Sequence, residues 1–236
     1  MTENQDTCLL LFAKYPEKGK VKLRLSADLN GDIVQELYRC FVQDTLTTVK
    51  KIDAQLFICF LPVEAEKKFH KWLGSTLLFR PQNGTDLGER MKNSFIDVFT
   101  KGFRQAVLIG SDSPDLPKKY IEQAFIILQT RDVVLGPTVD GGYYLIGFHT
   151  NTFNPSMFED ISWSNEMVFQ ETVMKIKQAH RSVGILPMWS DVDSIADLKH
   201  LVHRAKNTSF KSSQTMTFLR KYHIRLEDDC ETKTSR

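Results

Sequence analysis

The feature that most constrains this chain is a recurring unit in which a short, unbroken apolar run is followed by a loop and then an amphipathic stretch of helical period. Cys8 to Ala13 (CLLLFA), Ala54 to Leu61 (AQLFICFL) and Ala106 to Gly110 (AVLIG) show none of the polar alternation of a sheet with one wet face. Each therefore reads as a strand covered on both sides. Between them, Ile33, Leu37, Phe41, Thr45 and Val49 recur every four residues, predicting one buried stripe on a helix over about 32–52. Further helices are expected over 64–72, 86–101, 118–129, 164–179 and 194–204, and further strands over 76–79, 132–135, 143–148 and 182–188. Asp86 fits the N-cap of its helix, with Glu89 three residues on completing a capping-box pattern.

Strands alternating with helices of this length imply an α/β fold with a single doubly wound, mostly parallel sheet. At 236 residues one domain suffices. Residues 1–206 carry the alternation. Residues 207–236 read as a C-terminal extension, partly helical and then disordered, whose helix docks on the domain or on a partner and so offers a route to an oligomer.

Composition narrows the setting. Lys+Arg 31 against Asp+Glu 29 leaves no bulk basic character to hold nucleic acid. Cys8, Cys40, Cys59 and Cys230 match no zinc or redox spacing, and two of them sit in apolar runs, so they read as free thiols. The first residues have no apolar signal core, and no run approaches the ~20 residues of a membrane span. A cytoplasmic, soluble protein is expected.

In open parallel sheets, ligands bind outside the carboxyl ends of the strands, and four polar clusters fall there. After the first strand, Lys14, Lys18, Lys20, Lys22 and Arg24 place five cations within eleven residues around Gly19. Lysine point charges and the arginine fork suit a polyphosphate, although a solvated basic loop has the same composition. No Walker or G-x-G-x-x-G motif is present. After AVLIG comes Gly110-Ser111-Asp112-Ser113-Pro114-Asp115, where Asp112 is placed to hold a hard cation beside a diphosphate. Asp115 reads better as a cap for the next helix. Asp140-Gly141-Gly142-Tyr143 is both a hairpin signal and a wall free of Cβ atoms against which a sugar or acceptor could lie. Asp193, after the last strand, is either a helix cap or a second metal ligand, if that strand lies near AVLIG.

Read together, FAKYPEKGKVKLRL, DLGERM, VLIGSDSPDLP, VVLGPTVDGGYYLIG, ISWSNEMV and WSDVDSIADL resemble, in this order, the GT-A-fold transferases associated with radical-SAM/selenodomain genes, within the nucleotide-diphospho-sugar transferase superfamily. That resemblance implies a Rossmann-like three-layer fold. It implies that Lys14, Gly19, Lys22 and Arg24 hold nucleotide phosphates and that Gln82, Gly84 and Asp86 face the base or ribose. It implies Mg²⁺ or Mn²⁺ on Asp112 and Asp193, and an acceptor or sugar side formed by Asp140, Gly141, Gly142, Tyr143 and Trp163. Asp112, Asp140 and Arg24 would carry the chemistry. Two departures stand out: Leu23 replaces the family's threonine in Lys-Thr-Arg-Leu, and Asn165 replaces threonine in Trp-Ser-Thr. The expected function is a metal-dependent glycosyltransferase using a nucleotide-diphospho-sugar donor and a small-molecule acceptor. The alternative is a nucleotidyltransferase that couples a nucleoside triphosphate to a small phosphorylated acceptor with release of pyrophosphate.

Overall fold

The apolar runs form the centre of one seven-stranded sheet in a computed structural model that describes residues 6–163, 165–222 and 224. The strands are β1 (Thr7–Lys14), β2 (Gln55–Leu61), β3 (Leu78–Pro81), β4 (Gln105–Gly110), β5 (Val133–Pro137), β6 (Tyr143–His149) and β7 (Val183–Ile185). They lie in the order β3-β2-β1-β4-β6-β5-β7. Among these strands only β6 runs against the rest, antiparallel to both β4 and β5. The connection over 138–142 explains the reversal: a parallel crossover needs a dozen or more residues, a hairpin far fewer.

Helices α1 (Gly31–Val49), α2 (Glu66–Leu73), α4 (Lys118–Ile127), α6 (Ile195–Ala205) and α7 (Gln214–Lys221) cover one face, and α3 (Leu87–Thr100) and α5 (Val168–Gln178) cover the other. The unbroken strands feed both layers by pleat. In β1, Leu9, Leu11 and Ala13 enter the first core, while Cys8, Leu10 and Phe12 enter the second. Cys8, Cys40 and Cys59 are free thiols. Burial pushes those of Cys40 and Cys59 up to about 12, so they are packing groups rather than nucleophiles. Cys230 lies outside the described residues.

Several boundaries move for local reasons. On α1 the stripe is wider than four-residue spacing predicts: Val34, Tyr38, Val42 and Leu46 join Leu37, Phe41, Thr45 and Val49, and Ile33 is only half-buried. Asp86 caps α3 by accepting from the Glu89 amide (2.8 Å), but the Glu89 carboxylate reaches past it to the Thr85 amide and hydroxyl (both 2.8 Å). The helix expected from residue 164 starts at Val168, because the Asn165 side chain accepts from the Met167 amide (2.7 Å) and holds a turn there. The strand expected over 182–188 stops at Ile185, short of Pro187, which has no amide to give the ladder.

The C-terminal helix docks on the domain itself. Asp44, buried in the middle of α1, accepts from the Gln214 amide (2.9 Å) and the Thr215 amide (2.8 Å). A carboxylate is thereby set on the positive end of α7, where Ser213 also caps. Met216 and Leu219 then enter the α1 core. Asp44→Ala strands two amide donors, and its expected cost is about 3 kcal/mol. The check is thermal unfolding, with a fall of roughly 6–12 °C for a chain of this size. The expected disordered tail lies outside the described residues. Among the described residues, no helix is long and apolar enough to cross a membrane.

Candidate active site

β2 lies on one side of β1 and β4 on the other, so chain order reverses between β1 and β4. Crevices at the carboxyl ends of strands at such a switch are where open α/β sheets take ligands. A cleft of about 900 Å³ opens there. The ends of β1 and β4 bring Lys14, Ser111 and Asp112 to it, and the basic loop adds Lys22 and Arg24. Gln82, Asp86 and Arg90 come from the β3–α3 side, with Tyr143, Trp163 and Asp193 completing the wall.

Asp193 reaches this point by an unexpected route. β7 is at the sheet edge, separated from β4 by β5 and β6, so the last strand is not beside AVLIG. The chain beyond it runs back across the strand ends instead. The amides of Leu186, Trp189 and Val192 donate in turn to the carbonyls of Leu135 (2.8 Å), Pro137 (3.0 Å) and Asp112 (2.9 Å). Val192 is fully buried, which pins its neighbour Asp193 beside Asp112. The cap of α6 is Ser194, in a capping box with Asp197, leaving the Asp193 carboxylate free of that task.

The Lys22 ammonium bridges the two carboxylates, in contact with Asp112 Oδ1 and 2.5 Å from Asp193 Oδ1. Its side chain is 4% exposed, against 53% for Asp112 and 39% for Asp193. Burial alone would lower its pKa, but the two carboxylates more than offset that and hold it above the ordinary lysine value. Lys22 also has a φ of 48°, in the left-handed region where a lysine is strained. Two carboxylates from separate segments thus converge on one cation, which is what a divalent metal would require of them. Among the described residues no group of three or more His, Cys, Asp or Glu side chains is poised for a metal. Mg²⁺ or Mn²⁺ here would take the rest of its shell from substrate oxygens and water, the usual arrangement beside phosphates. With that provision the donor set fits.

Of the remaining loop cations, Lys18 pairs with Asp32 (2.8 Å) and Lys20 with Glu17 (2.7 Å). Lys14 and Arg24 are exposed and have no carboxylate partner among the described residues. Gly19, at φ 73°, makes the loop's turn away from the cleft lining. Tyr38 locks the floor: its hydroxyl accepts from the Lys14 amide (3.0 Å) and shares a hydrogen bond with Ser111 Oγ (2.9 Å). Burial, then the Asp112 charge, pushes this phenol up to about 12, so it stays neutral.

Gln82 is buried, with Nε2 donating to the Cys59 carbonyl (2.7 Å), and still lines the cleft. Gly84 does not line it; at φ 143° it lies so close to α3 that a Cβ would overlap Glu89 and the Arg90 backbone. Asp86 is both helix cap and cleft wall. Asp140, Gly141 and Gly142 form the β5–β6 turn beside the cleft rather than its lining. Asp140 Oδ1 accepts from the Thr138 hydroxyl (2.5 Å) and the Gly142 amide (3.2 Å). Trp163 packs against Gly88, where any Cβ would overlap the indole.

Three residues escape the sequence reading. Arg90, one turn into α3 from Asp86, lines the cleft and donates to the Gly84 and Thr85 carbonyls (3.0 and 3.3 Å). Asp191 has its carboxyl pushed up to about 6 by burial first, then by the charges of Asp140 and Asp193. Its spacing of two from Asp193 was the available signal. Tyr38 is hidden by its place in an apolar helix stripe. Asp115 is not a cap: it takes a bidentate bond from Arg204 (2.6 and 2.9 Å) and one from Trp189 Nε1 (3.3 Å), fixing the return segment.

Residues 45–165 match a family described as uncharacterized protein conserved in bacteria (DUF2064). The crystal structure of a protein from Desulfovibrio desulfuricans G20, provisionally described as a nucleotide-diphospho-sugar transferase, is 43% identical over 94% of this chain and 97% of that one, with a TM-score of 0.91. The inositol-1-phosphate CTP transferase of T. maritima has the same fold at 12% identity, covering 89% of this chain and all of the other, with a TM-score of 0.55. CMP:2-keto-3-deoxy-manno-octonic acid synthetase complexed with CTP has it at 10% identity, covering 86% of this chain and 100% of that, with a TM-score of 0.53. No curated protein matches the sequence.

Proposed function

The chain belongs to the family described as uncharacterized protein conserved in bacteria (DUF2064), within the GT-A-like nucleotide-diphospho-sugar transferase superfamily, and from that premise we propose a metal-dependent glycosyltransferase with a nucleotide-diphospho-sugar donor. The observation that carries this reading is the convergence of Asp112 and Asp193 on one cation, at a cleft that Lys14, Arg24 and Arg90 line with no carboxylate partner among the described residues.

A divalent metal held by Asp112 and Asp193 would neutralise charge on the leaving diphosphate. Lys14, fixed through its backbone by Tyr38, and Arg24 bind the outer phosphate oxygens, the arginine as a fork. Trp163 and Tyr143 shut water from the sugar side. Asp140, on the turn beside the cleft, would meet an acceptor hydroxyl only at the cleft's edge, through its Oδ2, to which no described residue donates. In the transfer the acceptor oxygen bonds to the anomeric carbon and the bond from that carbon to the diphosphate breaks. The nucleoside diphosphate leaves, and the hydroxyl proton passes to a carboxylate or to water.

A second reading, nucleotidyl transfer with loss of pyrophosphate, is favoured by the surplus of positive charge. Three cations without carboxylate partners among the described residues, plus a metal, exceed what two phosphates require and suit three. A thermal-shift panel of nucleoside triphosphates and nucleotide sugars, with and without Mg²⁺ or Mn²⁺, separates the two. At one hundred times its dissociation constant a ligand adds about 2.7 kcal/mol, a rise of roughly 5–10 °C. A metal-dependent rise with one nucleotide sugar is the expected result, and a rise confined to one triphosphate selects the second reading. A panel with no rise for any nucleotide rejects both.

A further inference from the structure

Lys22 turns under the carboxylates while its neighbours Lys14 and Arg24 face solvent. Its ammonium sits on the protein side of Asp112 and Asp193, 6.0 Å from the Phe41 ring. It occupies one oxygen of each of the two groups that would hold a metal. A residue other than glycine stays in the left-handed region only where its surroundings over-determine it, and here the two ion pairs do so.

Resting on the metal reading above, we propose that Lys22 is a positioning residue: a tethered counter-cation that keeps divalent metal off Asp112 and Asp193 until a polyphosphate arrives, so that metal and nucleotide load together. In the free protein the pair of carboxylates carries two negative charges and the ammonium cancels one, so an incoming metal meets a weaker field and a nearby like charge. Burial strengthens that repulsion, because the local dielectric is low. The metal alone offers the displaced ammonium no new anion. A polyphosphate does, since the free cations Lys14 and Arg24 draw it to the same loop. The strained backbone at residue 22 is the place where the loop can relax once its ion pairs are released. The opposite effect, in which Lys22 gathers the carboxylates and thereby helps a metal bind, predicts the reverse sign in the same measurement.

The test is Mn²⁺ binding to the full chain without nucleotide, with free Mn²⁺ read by electron paramagnetic resonance. Lys22→Gln keeps polarity in a side chain one atom shorter but removes the charge, and is expected to bind Mn²⁺ at least about tenfold more tightly than the natural chain. Lys22→Arg keeps the charge and is expected to bind as weakly as the natural chain. Adding Asp112→Asn to Lys22→Gln is expected to abolish the gain, placing the metal at this pair. Equal or weaker binding by Lys22→Gln, with Mn²⁺ still bound by the natural chain, overturns the inference and leaves the metal reading intact. No Mn²⁺ binding by any of these chains, even with pyrophosphate added, overturns the metal reading and the inference with it. Should Lys22→Gln not fold, amine acetylation of the natural chain decides. Lys22 is expected to stay protected in the free protein and with Mg²⁺ alone and to become reactive when Mg²⁺ and pyrophosphate are added together; loss of protection with Mg²⁺ alone, or unchanged protection with both, overturns the proposal.

Discussion

Asp112→Asn is expected to lower transfer activity about a thousand-fold, roughly 4 kcal/mol of transition-state stabilisation, while the chain remains folded. Asparagine preserves the shape, and Lys22 keeps Asp193 as an anionic partner (2.5 Å), so no buried charge is left alone. What disappears is one of the two anionic oxygens that would fix a metal against the leaving phosphate. Asp193→Asn should cost nearly as much. The double variant should cost little more than either single one, because groups that act as a unit are not additive. Steady-state rates with the donor identified by the thermal panel provide the check, alongside an unfolding midpoint for each variant. An Asp112→Asn chain that stays folded and retains most of its activity would remove Asp112 from the chemistry.

Gly141→Ala is expected to be the most damaging single methyl group near the site. Its φ of 88° is in the left-handed region, and a Cβ there would run into the Glu166 carbonyl, which is backbone and cannot rotate away. The Gly141 carbonyl also accepts from the Phe169 amide (2.9 Å), so the turn and the start of α5 are held as one unit. Conformational strain of about 1–2 kcal/mol and overpacking of about 1–3 kcal/mol together suggest a loss near 3 kcal/mol, a fall of roughly 6–12 °C in the midpoint. Gly19→Ala is the internal control. Gly19 has a similar φ of 73°, but nothing lies within 4 Å of the added atom, so only the strain applies. Equal losses at the two positions would show that the contact with Glu166 carries no weight.

Fold and site were not equally legible in the sequence. Continuous apolar runs identify strands covered on both faces whatever their neighbours, and this is why β1, β2 and β4 could be placed to within a residue or so. Asp112 was legible because it directly follows such a run, and Asp86 because its capping partner is three residues away. Trp163 could be associated with the cleft only through the motif resemblance. Its contact with Gly88, a position with no Cβ to oppose the indole, joins segments far apart in the chain. Asp44 shows the same limit: nothing around it in α1 signals a helix terminus contributed by residues 214 and 215.

The sequence by itself determined the layered α/β architecture, the strand-end position of Asp112 and the cationic loop, because each depends on periodicity or on residues a few positions apart. Tertiary structure alone decided the order of the strands, the return of 186–192 across their ends, and the meeting of Lys22, Asp112 and Asp193. Burial patterns record which side chains leave water, and they are nearly the same for any order of buried strands. A contact between residues 22 and 193, 171 positions apart, exists only once that order is fixed.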